Sequence, residues 1–182
     1  MTAIKQIFSW QGVVVALGST AALSWFANGP VWGTAHLQEL IPGVTIPDLT
    51  PLYSAHELPG FFQAMGDQGR AAYRTINTFD FLLIISYTLF AVLAIGAMLR
   101  SFMGDTPKAT KLALLGLLPG IFDAVESSCF RVIVTSPYDK HHLVASVAAF
   151  STKLKFITMI LVLLVLWGLL IITTIIKLKR RR

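Results

Sequence analysis

A chain of 182 residues with 55 % hydrophobic and only 13 % charged side chains, at a mean hydropathy of +0.70, is not a soluble globular domain but a single membrane domain, 1–182. The net charge of +6 gathers in Lys177, Lys179, Arg180, Arg181 and Arg182 directly behind an apolar span, which reads as an anchor against anionic lipid headgroups and speaks against a nucleic-acid surface. The single cysteine, Cys129, excludes an intrachain disulfide or a cysteine-based metal cage.

The first predicted span covers 8–27, FSWQGVVVALGSTAALSWFA, and its weakly positive start reads as a retained helix, not a cleaved leader. Trp10 and Trp25 lie about 22 Å apart at the helical rise, which suits the two membrane interfaces. Gly12 with Ala16 and Gly18 with Ala22 are small-residue pairs that would let another helix approach closely.

An extramembrane segment is expected over 28–78. Pro30, Pro42, Pro47, Pro51 and Pro59 argue against one continuous helix in its first half. In its second half Asp67 is a candidate cap for a helix that begins at Gln68 and runs into the next span. Arg70, Tyr73, Asn77 and Asp80 then fall on one stripe of that helix, which Tyr87 extends into the membrane.

The second span is placed at 79–99 and the third at 111–134, KLALLGLLPGIFDAVESSCFRVIV. Asp123 and Glu126 share one face of the third span, and a charge at membrane depth costs roughly 3 kcal/mol, so both need partners. Pro119 and Gly120 predict a bend just before them. TSPYDKHH follows as a turn, and its adjacent histidines do not converge as metal ligands. The fourth span is placed at 150–176, with Ser151, Lys155 and Thr158 on a common face. Four spans put both termini on one side. That side carries nine Lys and Arg (Lys5, Arg100, Lys108, Lys111 and the five of the tail), which makes it the cytoplasmic side or its organelle equivalent. The fold class that follows is all-α, an integral membrane four-helix bundle in a bacterial inner membrane or an organelle membrane such as the mitochondrial inner membrane.

This topology brings Asp80, Asp123, Glu126 and Lys155 to the outer half. The sequence therefore predicts one buried polar network or ligand site made of Arg70, Tyr73, Asn77, Asp80, Tyr87, Asp123, Glu126 and Lys155. Three acids against Lys155 and an arginine leave one negative charge too many, which a protonated carboxyl resolves. Such a cluster either ties helices together or serves chemistry.

From Pro47 to Phe156 the order PDLTPLYSAHELPGFFQAMGDQGRAAY, an Asp opening a span, LLPGIFDAVES and FSTKLKF resembles an uncharacterised family of four-span integral membrane proteins. Its pattern is Gly-x-x-Gly-Arg-x-x-Tyr, an Asp at a span start, Asp-x-x-Glu-Asn and a late lysine. The matching positions are Gly66, Gly69, Arg70, Tyr73, Asp80, Asp123, Glu126 and Lys155, with Ser127 where the pattern has Asn. The resemblance implies no activity.

With no cofactor motif and no metal-ligand spacing in view, the chain reads as a non-catalytic accessory or assembly subunit, bound to membrane lipid and to other membrane protein subunits. The alternative is a binder of, or isomerase-type enzyme on, a lipid or sterol-like ligand, using the buried carboxylates as acid and base. A proton or ion path is disfavoured because the inner halves of the spans lack acids.

Overall fold

The computed structural model describes residues 8–135 and 141–179, without the side chain of Lys177. Lys5, most of the predicted TSPYDKHH turn and the tail arginines lie outside the described residues. The chain is all-α, with no strand among the described residues. In order it forms α1 (Trp10–Asn28), α2 (Thr34–Leu40), a 3-10 turn (Pro47–Leu49), α3 (Leu58–Ala64) and α4 (Gly66–Met103). After these come α5 (Pro107–Ala113), a second 3-10 turn (Leu114–Leu117), α6 (Leu118–Thr135) and α7 (His142–Lys179). Four helical stretches are long and apolar enough to cross a membrane: Trp10–Asn28, Gly66–Met103, Pro107–Thr135 and His142–Ile176.

Local chemistry explains where these helices begin and end. Ser9 caps α1 by accepting from the Gly12 amide at 3.1 Å, and Thr106 caps α5 by accepting from the Ala109 amide at 3.2 Å, with Pro107 at the first helical position. α4 starts at Gly66, whose φ of +60° turns the chain out of α3. Asp67 is thus not the cap that the sequence suggests; it sits in the first turn and pairs with Arg70. At the other end Gly104, at φ +67°, returns its amide to the Arg100 carbonyl and stops the helix.

The predicted second and fourth spans, 79–99 and 150–176, are the inner parts of longer helices. The predicted bend in the third span falls a turn early. Pro119 has no amide to give the Leu115 carbonyl, so the chain passes through the 3-10 turn and resumes α-helix with Pro119 in its first turn.

α4 is the hub of the bundle and packs against α1, α5, α6 and α7. α5 and the second 3-10 turn lie along α4, whereas α6 lies between α4 and α7. The approach of the third span to α4 depends on two glycines four residues apart, Gly116 in the 3-10 turn and Gly120 in α6. A Cβ on Gly116 would stand 2.8 Å from the Val92 amide nitrogen, and one on Gly120 would stand 2.0 Å from the Thr88 hydroxyl.

Beyond the apolar stretches, segment 34–65 folds as a cap over the protruding ends of three helices. Leu37, Ile46, Tyr53, Leu58, Phe62 and Met65 of the cap pack on Tyr73 and Ile76 of α4, Phe130 and Ile133 of α6, and Ala145 and Ala148 of α7. Phe62 joins two of these helices, its ring edge-on to Tyr73 at 5.1 Å and to Phe130 at 5.9 Å between centroids.

Candidate functional site

The polar residues gather under this cap. α6 turns Asp123, Glu126 and Ser127 to its buried face, and α7 turns Thr152 and Lys155 to meet them. Lys155 Nζ donates to Asp123 Oδ1 at 2.9 Å and pairs with Glu126 Oε2. Glu126 is wholly buried, and its Oε1 accepts from the Thr152 hydroxyl at 2.5 Å. Thr152 in turn lies 2.7 Å from the hydroxyl of Tyr53 in the cap. On the membrane side the Tyr87 hydroxyl donates to Asp123 Oδ2 at 2.7 Å. A continuous polar chain therefore runs Tyr53, Thr152, Glu126, Lys155, Asp123, Tyr87. It ties the cap, α7, α6 and α4 together.

A second strand of contacts flanks it. Asp80 Oδ2 accepts from Ser127 Oγ at 2.6 Å, and the Asn77 side-chain amide donates to the Ser127 carbonyl at 3.1 Å. Arg131 Nη1 reaches the Asn77 side-chain oxygen at 3.4 Å and the Thr78 hydroxyl at 3.0 Å. Tyr73, fully buried, donates to Asp48 Oδ2. Asp48 Oδ1 is enclosed, with no hydrogen-bond partner among the described residues. Burial pushes the Asp48 carboxyl above the ordinary carboxylate range, outweighing the attraction of Lys155 and the Tyr73 bond.

Of the eight residues expected to meet, Asp123, Glu126, Lys155 and Tyr87 form the ion-paired centre. Asp80, Asn77 and Tyr73 lie alongside, with Asp80 held by Ser127 and not by Lys155. Arg70 pairs with Asp67, about 15 Å along α4 from Asp80, and the arginine that reaches Asn77 is Arg131. Sequence reasoning missed Asp48, Tyr53 and Thr152. Asp48 had a signal, as the lone charge between Glu39 and Glu57 in a proline-punctuated apolar stretch. Thr152 had one too, three residues before Lys155 and so on its face.

The level of the cluster follows from the helices. Asp80 immediately precedes the apolar run that opens at Phe81, and Lys155 the run that opens at Phe156. α1 and α4 are pinned by Thr20 and Ser86, whose hydroxyls stand 3.0 Å apart. Counting five residues toward the cap on each antiparallel helix, about 7.5 Å, reaches Trp25 and Phe81. Trp25 is 77 % exposed and of the type that marks an interface, so the acid–lysine centre lies at the cap-side boundary of the apolar zone, not at its middle.

Among the described residues no group of His, Cys, Asp and Glu is arranged to hold a metal ion. Fold and site together define the class: an all-α membrane bundle with an ion-paired polar centre sealed beneath a cap. Comparison with known families, with curated proteins and with solved structures returns no match in any of the three.

Proposed function

We propose that the chain is a non-catalytic subunit of a larger membrane complex, its acid–lysine centre locking three helices and the cap into a rigid body that α1 attaches to its neighbours. The observation that carries this reading is α1 itself. Only Val13, Ala16 and Ala27 of its 19 residues are buried, so it touches the bundle along one edge. The Gly12/Ala16 edge is turned toward α4, where Val13 packs on Ala94 and Ala97, while Gly18 and Ala22 are exposed and a Cβ on Gly18 would meet nothing within 4 Å. A small-residue face that none of the described residues covers suits a helix of another subunit, since close backbone approach is what drives association in lipid. Both termini belong on the cytoplasmic or equivalent side in this reading, with the basic tail at a headgroup or partner surface. The motif resemblance from Gly66 to Lys155 is part of the same proposal. A photo-crosslinking side chain at Ala22 of the full chain in its native membrane tests it: a discrete adduct with another protein is expected, and lipid adducts alone would contradict it.

A second reading, a binder of an amphipathic ligand or an acid–base enzyme acting on one, is favoured by one feature. Asp48, Asp80, Asp123 and Glu126 crowd a single lysine, and the unpartnered Asp48 oxygen has room in its bonding for a donor. Purification with stoichiometric bound lipid and no partner protein would favour this reading over the subunit role.

A further inference from the structure

We propose that a groove on the membrane side of the acid–lysine centre seats one hydrocarbon chain of a lipid from the cap-side leaflet. The groove is a cavity of about 130 Å³ between α4, the second 3-10 turn with α6, and α7. Ile95 and Val162, both buried, form its floor; Leu115, Leu118, Thr158 and Val165 stand around it. Its origin is the proline break. α6 lies against α7 on the cap side of Pro119, whereas the 3-10 turn and α5 follow α4, so the third span leaves α7 as it crosses the membrane and a wedge opens at the departure point.

Three observations select a lipid chain as the occupant. The cavity exposes apolar lining alone, and the one hydroxyl at its rim, Thr158, already donates to the Leu154 carbonyl at 2.7 Å. An apolar space of this order takes no water and accepts apolar guests. The depth is that of acyl chains: Thr158 lies one turn inward of Lys155 and Val165 about 15 Å inward, so the groove runs from just below the headgroup level toward the bilayer middle. Its mouth faces out of the bundle, because Leu115, Leu118, Leu161 and Val165 are all exposed there, and what surrounds the bundle at this depth is hydrocarbon. A chain lying in the groove carries its polar head to the level of Asp123 and Lys155.

Reconstitution of the full chain in phosphatidylcholine vesicles whose acyl chains carry a mid-chain diazirine tests this by mapping adducts. Leu161, at the groove, and Leu164, one turn on and equally apolar, are both exposed, at 54 % and 63 %. Leu161 is expected to carry about threefold more adduct than Leu164; the ratio is modest because lipid tails are as apolar as leucine and only packing is gained. Val165→Trp and Leu118→Trp, at opposite lips, should each abolish the excess, with unchanged unfolding midpoints reporting an intact bundle. Equal labelling of Leu161 and Leu164, or an excess that survives both substitutions, overturns the proposal. So does protection of Leu161 accompanied by a protein–protein crosslink, which would give the groove to a partner helix.

Discussion

Lys155 is the residue on which the polar centre turns, because its ammonium serves two carboxylates at once and Thr152 and Tyr87 bond those carboxylates from either side. Lys155→Met strands both acids in a buried setting, and the loss is expected to reach about 3–5 kcal/mol. Glu126→Gln should be markedly milder, since Lys155 keeps Asp123 and the amide still accepts from Thr152. Heat unfolding in detergent checks the order, and equal midpoints for the two variants would contradict it. Asp48 carries a pH signature of its own. Burial raises its carboxyl above the ordinary range, so the native state holds a proton that the unfolded chain has already released. Stability conferred through Asp48 is therefore full below the ordinary carboxylate range and falls as pH rises toward the raised value. Asp48→Asn removes that slope: its unfolding midpoint should change less than that of the parent as pH rises above the ordinary carboxylate range of about 4. Equal slopes would show that Asp48 does not hold this proton.

At the scale of elements, the approach of the third span to α4 is set by Gly116 and Gly120, and these crowded glycines differ from Gly18, which faces open space. Gly116→Ala drives a methyl against the backbone of Val92 and is expected to destabilise by about 1–3 kcal/mol, whereas Gly18→Ala meets open space and should leave the unfolding midpoint unchanged. A neutral Gly116→Ala would mean that the helices do not approach as described. The spans were legible in the sequence because apolar runs such as Phe156–Ile176 have few competing explanations, and Asp123, Glu126 and Lys155 were legible as charges those runs could not leave unpaired. The Gly116/Gly120 pair was not, because Pro119 drew attention to bending and the same spacing occurs at Gly12/Ala16 and Gly18/Ala22; pattern alone does not say which face meets a helix. Asp48, Tyr53 and Thr152 were hidden for a different reason. Their place depends on how a proline-rich segment folds back over three helices, and such a return path leaves no periodic trace.

For the molecule as a whole, the layout is a densely packed cap-side half and a loosely wrapped half opposite it. The cap, α4, α6 and α7 share one aromatic core and one polar chain, while toward the opposite face α1 and α7 leave most of their apolar surface outside the bundle, including Val14, Val15, Leu163, Leu164, Trp167 and Ile171. With the cap on one side and the α4–α5 linker on the other, a cysteine at Leu52 and one at Lys108 should react with a membrane-impermeant label from opposite sides; labelling of both from the same side would overturn the four-span topology. The proposal that the exposed α1 face belongs to a larger assembly is tested most directly by mass measurement of the particle released from native membrane under gentle solubilisation. A particle containing other protein subunits in fixed ratio to this 19.9 kDa chain is expected. A particle no larger than a monomer or dimer of the chain, carrying only lipid, would contradict it.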